Sequence, residues 1–190
     1  MIIFERTLIM KKILELLLCV GMFLFAAAGC GGSQKSVTAT GDEAKSLSAS
    51  AYDDDFKGLC NYLSALGYIN PKSENKDVTY SEMKAELIGA KKGSGRRFQA
   101  VHTKDTVIEL YEYDLKDLNQ TADEVRASVE KDGTFVNLIG ETVKNVYLSN
   151  NKKYLMIYTD NTIDDDTKDT DSNYKSREEV VKKFKEFHEK

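Results

Sequence analysis

The chain of 190 residues has no tryptophan, one proline and two histidines, His102 and His188. Two imidazoles are too few for an ordinary zinc-binding cluster of histidine and cysteine. The sequence also has neither a G-x-S-x-G nucleophile motif nor a GK[ST] phosphate-binding loop. We therefore recognise no catalytic constellation, and we expect no cofactor and no bound metal.

An excess of positive charge is also absent. The formal net charge is −4, with 31% of residues charged. Removing residues 1–29 takes away three basic and two acidic residues, which leaves a net charge of −5. A mildly acidic protein has no general attraction to nucleic acid. We expect no nucleic-acid partner.

No apolar run is long enough to be a permanent membrane span. The most apolar run covers residues 13–28 and is interrupted by Glu15. It falls short of the roughly 20 residues that a bilayer requires. Lys11 and Lys12 precede it, and small residues follow it. This order of positive, apolar and small residues predicts a secretory signal peptide.

The end of this run carries a more specific pattern. Residues 26–33 read AAAGCGGS, with Cys30 at the fifth position. The pattern resembles the lipobox of bacterial lipoproteins, in which a diacylglyceryl group is attached to the cysteine before cleavage. The resemblance implies a signal peptide at 1–29, a lipidated Cys30 and a cell-membrane anchor facing outside the cytoplasm. It covers only the first 30 residues. The rest of the chain resembles small uncharacterised lipoproteins of Gram-positive bacteria in general plan only.

Cysteine is then too scarce for a disulfide. Cys19 lies in the discarded signal, Cys30 carries lipid, and Cys60 is alone. Cys60 lies on the apolar stripe of a predicted helix, so we expect a buried, unreactive thiol. Residues 30–50 are rich in Gly, Ser, Thr and Ala. We interpret them as a lipidated cysteine followed by a flexible tether with a root-mean-square span of roughly 25 Å.

Residues 51–160 are predicted to form one α+β domain. Apolar spacing indicates helices at about 54–66 and 121–131, and the second matches a capping box from Thr121 to Glu124. A short helix or a strand is expected between Ser81 and Ala90. Five strands are predicted at 97–102, 106–113, 134–139, 142–148 and 153–159. Short turns between them favour an antiparallel sheet with helices packed on one face.

Residues 161–190 are predicted to be an acidic linker followed by an amphipathic helix from Tyr174. An EF-hand loop starting at Asp169 would place Tyr174 where glycine is required and Val180 where glutamate is required. The acidic segment is therefore not interpreted as a calcium site. The helix has an apolar stripe that either packs on its own domain or binds a partner.

Two groups of residues are candidates for binding. Lys91, Lys92, Arg96 and Arg97 surround a glycine turn, as in sites for phosphate-rich polymers or lipid head groups; a solvated basic turn is the alternative. Tyrosines on the predicted strands either line a carbohydrate or peptide surface or belong to the core; they are Tyr111, Tyr113, Tyr147, Tyr154 and Tyr158.

The sequence thus favours a non-catalytic binding or interaction module, anchored in the membrane by lipid. Its partner would be a cell-envelope polymer or a protein. The alternative is an extracytoplasmic enzyme with an unfamiliar site, built around His102 or the tyrosines. A transporter's solute-binding component is disfavoured because it needs a longer, two-lobed chain.

Overall fold

A computed structural model describes residues 47–70, 80–101, 105–163, 166, 168 and 170–189. The predicted signal peptide, Cys30 and most of the predicted tether lie outside these residues. Within the described part of the chain, no helix is long and apolar enough to cross a membrane.

The described residues form an α+β domain, as predicted. Three helices are α1 (Phe56–Ala65), α2 (Gln120–Asp132) and α3 (Ser172–Lys185). Seven strands are β1 (Tyr80–Glu82), β2 (Gly95–Gln99), β3 (Thr106–Glu112), β4 (Phe135–Val136), β5 (Thr142–Val143), β6 (Val146–Leu148) and β7 (Tyr154–Asp160). Two 3₁₀ turns cover Ala49–Ala51 and Ala85–Ile88.

Five strands form one antiparallel sheet in the order β1-β2-β3-β7-β6. The long strands β3 and β7 lie at its centre, where Ile108 pairs with Tyr158. The remaining strands, β4 and β5, pair only with each other. The sheet has the predicted number of strands and the predicted antiparallel order.

The membership of the sheet differs from the prediction. Only Phe135 and Val136 of the strand predicted at 134–139 are extended, and they lie outside the main sheet. The edge strand β1 was not predicted. The strand predicted at 142–148 is split into β5 and β6, because Asn145 adopts a left-handed φ of 54°.

One face of the sheet is covered by α1 and α3. Asp55 is the N-cap of α1, and its side chain accepts a hydrogen bond from the Gly58 N–H at 2.7 Å. The C-terminal helix packs on its own domain, which confirms the first of the two alternatives. Its buried side chains join those of α1 and the sheet in one cluster, which includes Leu59, Leu63, Ile108, Met156, Val180, Val181, Phe184 and Phe187.

Helix α2 packs on the opposite face, with Ala122, Val125 and Val129 in a second cluster. The expectation that helices pack on one face therefore holds for α1 and α3 but not for α2. The cause lies in β3 and β7, which carry apolar side chains on both faces: Ile108 and Leu110 on one, Tyr111, Leu155 and Ile157 on the other. One face therefore buries its apolar side chains under α1 and α3, and the other under α2.

The domain extends beyond its predicted boundaries. Leu47 and Ala49, assigned to the tether, pack against the core. Phe187, near the other end of the chain, is fully buried against Tyr62 and Tyr154. The two ends meet where the Nε2 atom of His188 lies 2.8 Å from the carbonyl oxygen of Tyr52.

Candidate binding groove

An apolar groove of about 820 Å³ lies on the α2 side of the sheet. Its floor is formed by side chains of β3 and β7, among them Tyr111 and Ile157. One wall is α2, including Val125, and the facing wall is the β4–β5 hairpin. Residues between Met83 and Ile88 close one side. Its volume falls within the range of about 300–1,000 Å³ typical of small-ligand sites.

Two polar side chains on the groove floor, Tyr111 and Glu109, are partners of each other. The hydroxyl of Tyr111 donates to Oε2 of Glu109 at 2.7 Å. Oε1 of Glu109 lies 3.6 Å from Nε of Arg97. Burial raises the pKa of the Tyr111 hydroxyl, and the neighbouring Glu109 charge raises it further, so this hydroxyl remains a donor. The floor therefore offers an occupant mostly apolar contact.

The β4–β5 hairpin is held by a hydrogen-bonded turn. The Asn137 side chain accepts from the N–H groups of Ile139 at 3.1 Å and Glu141 at 2.9 Å. The Gly140 N–H donates to the Asn137 carbonyl at 3.0 Å, with Gly140 at a φ of 83°. These hydrogen bonds fix Leu138 and Ile139 at the end of the turn. We name these two residues the hairpin tip.

Exposed apolar side chains are concentrated at this groove. Six large ones are exposed among the described residues, and four of them line the groove: Leu87 (49%), Val136 (64%), Leu138 (73%) and Ile139 (78%). Single exposed apolar residues are normal, but a contiguous apolar patch marks an interaction site. The groove is therefore the strongest candidate site in the described part of the chain.

The basic turn does not bring its four cations together. Arg96 and Arg97 are successive residues of β2, so they lie on opposite faces of the sheet. Arg96 lies 3.4 Å from Glu82 and next to the rings of Phe56 and Tyr80.

The other basic side chains point elsewhere. Arg97 pairs with Glu109, and Lys91 lies 3.6 Å from Glu112. Lys92 is exposed in the turn before Gly93. Binding of an anion at this turn stays a prediction. The four basic side chains do not converge on one point where an anion would bind.

The core interpretation is confirmed for four of the candidate tyrosines. Tyr111, Tyr113, Tyr154 and Tyr158 are at most 4% exposed. The remaining one, Tyr147, is half-buried and packs against the core cluster beside α1 and α3. Only Tyr111 reaches the groove.

Cys60 is a half-buried thiol in a setting typical of unreactive cysteines. It packs against the core beside α1, and burial raises its pKa to about 12. Reactive cysteines have a lowered pKa and an accessible sulfur. The predicted unreactive thiol is consistent with this setting.

A second polar cluster joins α1 to the sheet. The Tyr154 hydroxyl donates to Oδ1 of Asp54 at 2.8 Å, and Nζ of Lys153 lies 3.2 Å from the same oxygen. Lys153 also lies 3.5 Å from the buried Glu112. Partial burial raises the pKa of Asp54, but the hydrogen bonds from Tyr154 and Lys153 lower it overall. The groups satisfy one another, so this cluster serves the fold.

The enzyme alternative names His102 and the tyrosines as its candidate residues. His102 lies outside the described residues, and His188 contacts a backbone carbonyl at the chain end. Among the described residues, no three His, Cys, Asp or Glu side chains are placed to hold a metal ion.

The groove is not predicted from the sequence, because the pattern at 134–139, TFVNLI, predicts an ordinary strand of the sheet. One signal was present: Val136, Leu138 and Ile139 are apolar in a run that glycines enclose on both sides. In a strand, these apolar side chains would lie on both faces of the sheet. Such a strand is stable only where both faces are covered. The structure instead leaves Val136, Leu138 and Ile139 exposed.

Comparison with known proteins adds no relative. No family model matches the chain, and no curated protein or solved structure matches it either.

Proposed function

We propose that this protein is a lipid-anchored, extracytoplasmic binding module without catalytic activity, and that the apolar groove is its binding site. The observation that carries the proposal is the concentration of exposed aliphatic side chains around one groove of about 820 Å³. The lipobox-like residues 26–30 support the anchor and the location outside the cytoplasm.

The energetics of the hairpin support a binding role. Burying an aliphatic side chain stabilises a fold by about 1.5–3 kcal/mol relative to leaving it exposed. Val136, Leu138 and Ile139 are exposed and do not contribute this stabilisation. Hydrogen bonds to the Asn137 side chain hold the turn that carries them. Such a preorganised apolar surface favours burial against a ligand.

The groove is tested with the fluorescent apolar probe anilinonaphthalene sulfonate. Thr159 is exposed on the groove floor, so Thr159→Phe places a ring in the groove without altering the core. We expect this variant to weaken probe binding about tenfold, the equivalent of roughly 1.4 kcal/mol. The measurement is a fluorescence titration of the folded protein.

Ser81→Phe is the matched control, since Ser81 is an exposed strand residue outside the groove lining. Both variants must unfold at the same temperature as the parent within a few degrees. Equal probe binding by Thr159→Phe and the parent would place the probe elsewhere and remove the groove from the proposal.

The anchor is tested separately in cells. A clickable palmitate analogue should label the parent chain and leave Cys30→Ser unlabelled. The Cys30→Ser chain should also keep its signal peptide and run larger on a gel, because cleavage follows attachment of the lipid. Labelling that survives in Cys30→Ser would refute the lipidation site, whatever the groove binds.

A further inference from the structure

We infer that the groove takes an acyl chain from the phospholipid bilayer to which the protein is anchored, with the hairpin tip inserted into the lipid surface. This inference rests on the function proposed above and names the ligand class of the same groove. Three observations carry it: the chemistry of the lining, the exposure of the tip and the length of the tether.

The lining suits a hydrocarbon chain more than a protein surface. Eight of its eighteen lining residues are aliphatic, and only two, Tyr111 and Phe135, are aromatic. The seven polar ones include Lys84, Glu109 and Glu124. Protein interfaces obtain most of their binding energy from Trp, Tyr and Arg, with Leu and Val under-represented. The main polar pair on the floor, Glu109 and Tyr111, is internally satisfied. An occupant therefore needs no hydrogen-bonding groups of its own along the floor.

The hairpin tip is built for contact with lipid. Leu138 and Ile139 are neighbours at the end of the turn, and they are 73% and 78% exposed. They are continuous with the groove, because both also line it. A tip resting in the bilayer would thus bring the groove mouth to the source of acyl chains.

The tether allows this orientation. Residues 31–46 separate Cys30 from the first described residue, Leu47. They span at most about 55 Å when extended. Leu47 packs on the face of α1 and α3, opposite the groove, and packed layers are about 10 Å apart. The tether is therefore long enough to let the groove side turn to the membrane.

The anchor also makes weak insertion sufficient. Linking a module to its surface raises its effective concentration there, commonly to the millimolar range. Two aliphatic side chains give only modest membrane affinity by themselves. With the anchor in place, that affinity determines which side of the domain faces the bilayer.

The absence of tryptophan from the chain provides a clean test. The processed chain, residues 30–190, is coupled through the Cys30 thiol to a maleimide lipid in phosphatidylcholine vesicles. Cys60→Ala in every variant removes the second thiol, which is only half-buried. Leu138→Trp reports on the hairpin tip and Val136→Trp on the groove wall. Vesicles with brominated acyl chains quench tryptophan on contact.

We expect both reporters to lose most of their emission in brominated vesicles. Leu115→Trp is the control, since Leu115 is also exposed (45%) but lies outside the groove lining. It should keep its emission. Equal quenching of all three reporters, or of none, would overturn the inference.

Other outcomes separate the inference from the function on which it rests. Quenching at Leu138→Trp but not at Val136→Trp overturns the acyl occupant, since the tip then touches lipid while the groove does not. Probe binding in the groove without quenching overturns the lipid ligand and leaves the binding module standing. A dimer that Leu138→Asp disrupts, with no quenching, makes a second copy the occupant instead.

Discussion

At the scale of single residues, Gly89 is held by a close approach of two backbones. It adopts a φ of 71° at the end of the Ala85–Ile88 turn. Its backbone lies against the first turn of α2. A Cβ at this position would meet the backbone N of Ala122 and lie 2.7 Å from its Cα. We expect Gly89→Ala to lower the free energy of unfolding by several kcal/mol, from left-handed strain and overpacking together.

Gly93→Ala is the matched control for Gly89→Ala. Gly93 has a φ of 79°, but no atom lies within 4 Å of its added Cβ. It should lose only about 1–2 kcal/mol, the cost of left-handed backbone. Urea unfolding of both variants gives the comparison, and equal losses would contradict the close approach.

Single residues were predictable from sequence where their role is local. The Asp55 cap at the start of α1 follows from the acidic residues that precede an apolar stripe. The place of Cys60 on that stripe predicts its contact with the core, although the residue is half-buried and not fully buried. Val136 and Leu138 were not predictable, because their exposure depends on which sheet the chain joins after α2. Tertiary contacts decide which sheet these residues join, and local strand propensity does not reveal it.

At the scale of elements, the start of α2 shows how cap prediction fails. Thr121 and Glu124 match a capping box, but the N-cap is Asn119, whose side chain accepts from the Ala122 N–H at 2.9 Å. Asn at this position serves equally well as a cap. The helix itself was predicted within a residue or two, because its apolar spacing spans several turns.

We expect Asn119→Ala to lower the free energy of unfolding by about 1 kcal/mol. Thr121→Ala removes the hydroxyl that the capping box would use, and should change stability by less than about 0.5 kcal/mol, as an exposed substitution does. Thermal unfolding followed by circular dichroism distinguishes them. If Thr121→Ala lowers the free energy of unfolding more than Asn119→Ala does, Thr121 and not Asn119 is the effective N-cap.

The β4–β5 hairpin is the element that sequence analysis placed least well. The residues of its strands have the composition of ordinary strands, and antiparallel pairing was expected there. What differs is the partner: β4 and β5 pair with each other and stand over the face of β3 and β7. The groove exists because of this separation, so it could not be derived from strand propensity.

At the scale of the whole molecule, buried tyrosines set the response to alkali. Burial raises the pKa of Tyr62 to about 12 and raises those of Tyr68, Tyr111, Tyr113 and Tyr154 as well. Tyrosine in the unfolded chain has a pKa of about 10. The unfolded state thus loses these protons first, so stability is complete below pH 10 and falls as the pH rises beyond it.

We therefore expect tyrosinate absorbance and loss of secondary structure to rise together above about pH 10, in one cooperative transition. A pH titration followed by ultraviolet absorbance and circular dichroism measures both. The denatured chain in urea is the control, with independent ionisation near pH 10. Independent ionisation in the native protein, with its circular dichroism intact, would contradict burial of these rings.

The contact between Tyr52 and His188 brings the beginning and the end of the domain together. A linker of a few residues would bridge them, so the polypeptide is suited to circular permutation, with new ends in the exposed turn at 91–93. The same proximity makes the C-terminus a favourable point for a fluorescent fusion. A label there lies beside the point where the tether enters, on the side of the sheet away from the groove.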